Sequence, residues 1–119
     1  MRLTKNMRRV AAVAFAAAAL VGAAATSASA TEGTWTISSG SSCVALEKIQ
    51  LQGGHDYIAV DPIANAGGCS FGVWNVNAGS WAYGPTSSGA QSPWIYDGPG
   101  QLLQACVFGP NGGSCGPAN

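Results

Sequence analysis

Four cysteines constrain this chain more than any other feature. Cys43, Cys69, Cys106 and Cys115 stand 26, 37 and 9 residues apart, in a short stretch behind a leader of the export type. In that setting an even cysteine count marks a disulfide framework. A four-thiolate zinc site would call for two close Cys-x2-4-Cys pairs, and these gaps supply none. The sequence implies neither a metal nor a cofactor. Of the three connectivities that four cysteines allow, the spacing favours Cys106 with Cys115 and Cys43 with Cys69. The first pair closes a glycine-rich span that turns back readily, and the second ties a first hairpin to a second.

The leader has three zones. Arg2, Lys5, Arg8 and Arg9 make a positive start, residues 10–25 are uncharged and almost wholly Ala, Val, Leu and Phe, and Ala28-Ser29-Ala30 matches the small-residue cleavage rule. That order is the secretory pattern, with cleavage after Ala30. About sixteen weakly apolar residues are few for a bilayer core that needs roughly twenty. The expected organisation is therefore a signal peptide at 1–30 and one domain at 31–119, outside the cell. Four of the five basic residues leave with the leader, so the remainder keeps Lys48 against Glu32, Glu47, Asp56, Asp61 and Asp97, a net charge of −4. Binding to nucleic acid or to an anionic membrane depends on Lys and Arg neutralising phosphate. A surface with one lysine excludes both as partners.

A domain of this size buries only a little over 60% of its unfolded surface, so cystines have to supplement a small core. Helical periodicity is missing from 31–119. Short runs of β-branched and aromatic residues recur between glycine-containing turns, which is the all-β pattern. A first hairpin is expected from 44–52 and 55–62 about Gly53-Gly54, with Gln52 opposite His55. That register puts Ile49, Leu51, Ile58 and Val60 on one face and Lys48, Gln50, Gln52, His55 and Tyr57 on the other. Val44 and Leu46 fall out of phase, which implies a bulge. Asp56, at the hairpin end of the apolar face, is expected to reach solvent. A second hairpin is expected from 69–76 and 80–84, with Trp81 and Tyr83 sharing the core face of Phe71 and Val73. A third would join 93–96 to 101–108, with 85–92 crossing between sheets and 109–119 irregular. With a lone strand at 34–38 this makes about seven strands. The fold expected is a small disulfide-stabilised antiparallel β-sandwich, with a partly closed β-barrel as the alternative.

Catalytic patterns fail on inspection. Gly112-Gly113-Ser114-Cys115-Gly116 matches the Gly-x-Ser-x-Gly elbow, but no acid or histidine follows it to complete a triad. His55 stands alone beside a turn and joins no multi-histidine site. The carboxylates are scattered rather than paired across a cleft as glycoside hydrolysis requires. What remains is aromatic: four Trp, three Tyr and two Phe in 31–119, more large rings than so small a core holds easily. Trp94 and Tyr96, beside the polar Gln101, are the rings expected at the surface, and these three are the candidate ligand contacts. The function expected is a secreted, non-enzymatic binding module for a glycan or small organic molecule. A proteinaceous inhibitor of a secreted hydrolase is the first alternative, and a structural or surface-coating protein the second. The secreted protein should have a mass lacking residues 1–30 and a further deficit of roughly 4 Da for two cystines; a retained leader or titratable thiols in the intact-mass spectrum would refute this.

Overall fold

A computed structural model describes residues 32–119; the expected leader, and cleavage after Ala30, lie outside the described residues. Eight strands follow in order: β1 (Gly33–Ser39), β2 (Cys43–Gln52), β3 (His55–Asn65), β4 (Ser70–Asn75), β5 (Ser80–Thr86), β6 (Ile95–Tyr96), β7 (Leu103–Gly109) and β8 (Gly112–Cys115). They form two four-stranded antiparallel sheets, ordered β1-β2-β3-β6 and β8-β7-β4-β5. The sheets pack face to face as a β-sandwich and do not close into a barrel.

The β2–β3 hairpin has the register that its alternation dictates. Gln52 pairs with His55, Ile49 with Ile58 and Glu47 with Val60. Gly53 and Gly54 take φ of 61° and 86°, the left-handed pair of a tight hairpin turn that matches strand twist. Ile49, Ile58 and Val60 are buried, whereas Leu51, on the same face but at the hairpin tip, is 58% exposed. The phase break at Val44 is a bulge: Val44 pairs with Ala64 and Ala45 with Pro62, leaving Ile63 as the extra residue on β3. The core between the sheets consists of Ile37, Ala45, Ile49, Ile58 and Val60 from one side and Phe71, Val73, Leu103, Ala105 and Val107 from the other.

Three expectations are corrected. The proposed third hairpin does not form, because β6 pairs with β3 while β7 pairs with β4 and β8. Because β7 pairs with β8 on one edge and β4 on the other, it sits inside its sheet, and 97–102 is a second crossing between sheets. Part of the tail is ordered: Gly112–Cys115 turns back on β7, drawn in by Cys106–Cys115. Trp81 leaves the core face because the β4–β5 register shifts on both sides of Val73, so that Val73 faces Tyr83 but Trp74 faces Trp81. A bulge changes which side of the sheet the next residue occupies. Tyr83 packs against the core and Trp81 turns outward.

The two cystines act on different levels. Cys43–Cys69 joins the start of β2 to the residue before β4, and so ties one sheet to the other within the core. Cys106–Cys115 fastens an edge strand to its neighbour. Loop closure assigns roughly 3–4 kcal/mol to the longer link and roughly 2–3 kcal/mol to the shorter. Cys43→Ala/Cys69→Ala should accordingly lower the denaturant midpoint more than Cys106→Ala/Cys115→Ala does. The reverse order would show that the inter-sheet link is not the dominant staple.

Candidate functional site

Polar chemistry in this sandwich is concentrated at one end of its interior. Glu47 is fully buried on β2. Its Oε1 accepts the Ala105 N–H from the opposite sheet at 2.7 Å, while the Ala105 carbonyl accepts the Gly116 N–H. The Glu47 carboxylate thus stands where a strand carbonyl would otherwise satisfy β7. Nearby, the Asn119 amide Nδ2 donates to Asp56 Oδ2 at 3.1 Å and to Asp97 Oδ2 at 3.0 Å, and Asn119 pairs with Leu103 through both backbone groups. Asp56, expected at the surface, is buried by this clasp.

Burial pushes the Glu47 carboxyl up to about 7, opposed by the Ala105 N–H and reinforced by Asp97. Burial likewise raises Asp97 to about 6, opposed by Asn119 and reinforced by Asp56. Glu47 Oε2 and Asp97 Oδ1 accept no hydrogen bond. Such perturbed carboxyls can mark catalytic sites; these point into the core, where Glu47 is 0% and Asp97 5% exposed. Their chemistry is that of a packed polar clasp between the sheets.

Outward-facing rings form two separate groups. On the β8-β7-β4-β5 sheet, Phe71 and Val73 point inward and Trp74 outward, where it opposes Trp81. On β7, Leu103, Ala105 and Val107 point inward and Phe108 outward. Trp81, 36% exposed, makes edge-to-face contacts with Trp74 at 4.9 Å and Phe108 at 5.7 Å between centroids. Two glycines make room for this row. A Cβ on Gly72 would lie 3.0 Å from the Trp81 ring, and one on Gly113 would overlap Phe108. The Cys106–Cys115 cystine lies on the same side, since Cys106 pairs with Gly72 in the ladder.

On the outer face of the other sheet, Tyr57 pairs with Tyr96, and the Tyr96 ring stands 5.7 Å from Tyr57 and 5.4 Å from His55. Trp94, just before the strand, is half-buried, and Tyr96 is 41% exposed. Gly98 accepts the Tyr96 ring against its Cα. Of the predicted contacts, Tyr96 stands on this face, and Trp94 precedes the strand. Gln101 is at its margin with its amide already engaged: Nε2 donates to the Tyr96 carbonyl and Oε1 accepts from Asn75. The Trp74–Trp81–Phe108 row was missed by sequence reasoning. Gly72 and Gly113, glycines in the middle of strands, were the available signal, since such glycines mark a close approach.

Comparison with protein-family models, with curated proteins and with solved structures finds no match. Among the described residues no helix is long and apolar enough to cross a membrane, and no group of three or more His, Cys, Asp and Glu side chains is arranged to hold a metal ion.

The clasp gives stability a pH dependence of definite sign. Both carboxyls ionise less readily in the folded chain than at their ordinary values of 4.5 and 3.8. Their contribution is therefore complete below those values and is lost as pH rises through about 6 and about 7. Unfolding free energy should fall between about pH 4 and about pH 7, with Glu47 accounting for on the order of 2 kcal/mol after allowance for solvent screening. Glu47→Gln, which keeps an acceptor for Ala105, should flatten the profile. A midpoint that rises with pH in denaturant titrations would contradict this account.

Proposed function

We propose that this protein is a secreted, non-enzymatic binding module that holds its ligand by stacking on outward-facing rings. The observation that carries the reading is the Trp74–Trp81–Phe108 row, built over Gly72 and Gly113 on an outer sheet face. Burying a Trp contributes a few kcal/mol, which a domain of this size can hardly forgo without some other use for the ring. Exposed aromatic patches are a mark of binding surfaces. The two cystines are compatible with an extracellular location, where disulfides persist.

The inhibitor alternative needs a taut, protruding loop, and the segment between β5 and β6 is fastened at several points although 87–91 are exposed. Residues 87–92 are fastened to β2 and β3: the Asn65 amide donates to the Ser87 carbonyl, Lys48 Nζ to Gln91 Oε1, and Ser92 exchanges hydrogen bonds with Val60. The cystine-tied span at 107–114 is mostly the β7–β8 hairpin. Both segments are braced, and the rings are what the surface offers.

Trp81→Ala should cost well under the roughly 3–5 kcal/mol expected for a buried Trp and should reduce collisional quenching of the intrinsic fluorescence. In pull-downs against insoluble cell-wall polysaccharides, the native protein should be retained and Trp81→Ala should be released. Retention unaffected by Trp81→Ala would refute the role of this row. Capture of a secreted hydrolase from culture medium, with no polysaccharide retained, would transfer the case to the inhibitor reading.

A further inference from the structure

We infer that residues 116–119 form a pH-controlled strap, which closes over the buried carboxyls while they are protonated and lifts off β7 once they ionise. The device needs no ligand and acts on the fold itself.

The strap touches down at two points. At the first, the Gly116 N–H donates to the Ala105 carbonyl and the Gln104 amide donates to the Gly116 carbonyl, each at 2.9 Å. At the second, Asn119 exchanges main-chain hydrogen bonds with Leu103 and sends its side-chain amide to Asp56 and Asp97. Gly116 and Asn119 are buried, whereas Pro117 and Ala118 between them are exposed. The segment is therefore held by polar contacts rather than by apolar burial. Elements with few buried apolar contacts open locally, ahead of the whole domain. The Cys106–Cys115 bond ends immediately before the strap, so 116–119 can leave while β8 stays on β7.

Beneath the strap lie the carboxyls. A Cβ on Gly116 would stand 2.7 Å from Glu47 Oε1, which makes the Gly116 main chain the cover of the Glu47 side chain. Asn119 covers Asp56 and Asp97 through its amide. Among the described residues, acids face this end and no base does. β2 supplies Glu47, β3 supplies Asp56 and the 97–102 crossing supplies Asp97. Glu32, exposed just ahead of β1, is raised by its hydrogen bond with Asp56. Asn119 adds its own main-chain carboxyl, an oxygen of which accepts the Leu103 N–H. Lys48 projects from the other face of β2 to Asp61, and His55 and Tyr57 turn to Tyr96 on the outer face.

An ionised carboxylate under the closed strap has no cation beside it and little access to solvent, and burying such a charge is costly. Protonated, Glu47 and Asp97 fit beneath the strap; ionised, they are solvated only when it lifts. Burial raises Glu47 to about 7 and Asp97 to about 6, so the strap is closed at low pH and opens as pH rises, the open state being the one that releases protons. Lifting leaves the Leu103 groups and the Ala105 carbonyl on the edge of β7 to water.

Native-state amide exchange on the purified protein separates local release from global unfolding. The amides of Leu103, Gly116 and Asn119 report the strap. Their protection factors should fall roughly tenfold per pH unit between about pH 4 and about pH 7 and respond little to added denaturant. Amides of the β2–β3 ladder should exchange only through global unfolding and respond steeply to denaturant. Glu47→Gln/Asp97→Asn should leave the strap protected across the same pH range, and Asp97→Asn alone should flatten part of the fall if near-UV circular dichroism shows the double variant unfolded. Asn119→Ala should free the Gly116 amide at low pH while the β2–β3 ladder stays protected. Strap amides that exchange in step with the β2–β3 ladder at every denaturant concentration would overturn the strap. Protection of the native strap that is independent of pH, or a fall that persists unchanged in the folded substituted protein, would overturn its control by the carboxyls.

Discussion

The Cys43–Cys69 bond is the constraint on which the remaining geometry rests. Both sulfurs lie inside the core, one at the head of β2 and the other at the foot of β4, so the link holds the two sheets in contact. With the sheets held, small side chains suffice to fill the space between them. Phe71 is the only fully buried large aromatic among the described residues, and Ala45, Ala105 and several β-branched residues supply the rest. A core of that kind leaves the other large rings to find places at its rim or outside it.

Polar groups complete what apolar packing does not reach. A sandwich this small has frayed corners, where strands end and backbone groups lack partners. Glu47 meets the Ala105 amide across the interior, and Asn119 links β7 to Asp56 and Asp97 on the opposite sheet. Carboxylates used in this way stabilise best when they are not fully charged. The same groups that close the end of the sandwich therefore make it sensitive to rising pH. The surface, by contrast, carries the Lys48–Asp61 ion pair, the exposed Glu32 and many neutral amides.

Much of the fold was legible because β structure has a period of two. Gln52 opposite His55, the Gly53-Gly54 turn, the division of faces along β2 and β3 and the bulge at Val44 all follow from local alternation and turn chemistry. The cystine pairs also agree with the spacing. Alternation fails wherever a bulge intervenes, and Trp81 is the clearest case. The shifts about Val73 moved it from the core side to the Trp74 side, and no residue in the β5 run announces that change. Tyr96 stands on the outer face beside Tyr57 and His55, and Gln101 spends its amide on Asn75 and Tyr96.

The sequence by itself determined an all-β sandwich, two cystines, a nearly base-free surface and a surplus of aromatic rings, because composition, spacing and period are properties of the chain. Tertiary structure alone decided which strands joined which sheet and where the acids went. Asp56 looked like a turn residue until Asn119, 63 residues later, reached it, and Trp81 looked like core until its neighbour strand shifted register. Partners that far apart leave no local signature. Their meeting depends on how the two sheets stack, and that stacking is settled by burial and by the inter-sheet cystine rather than by any short run of residues.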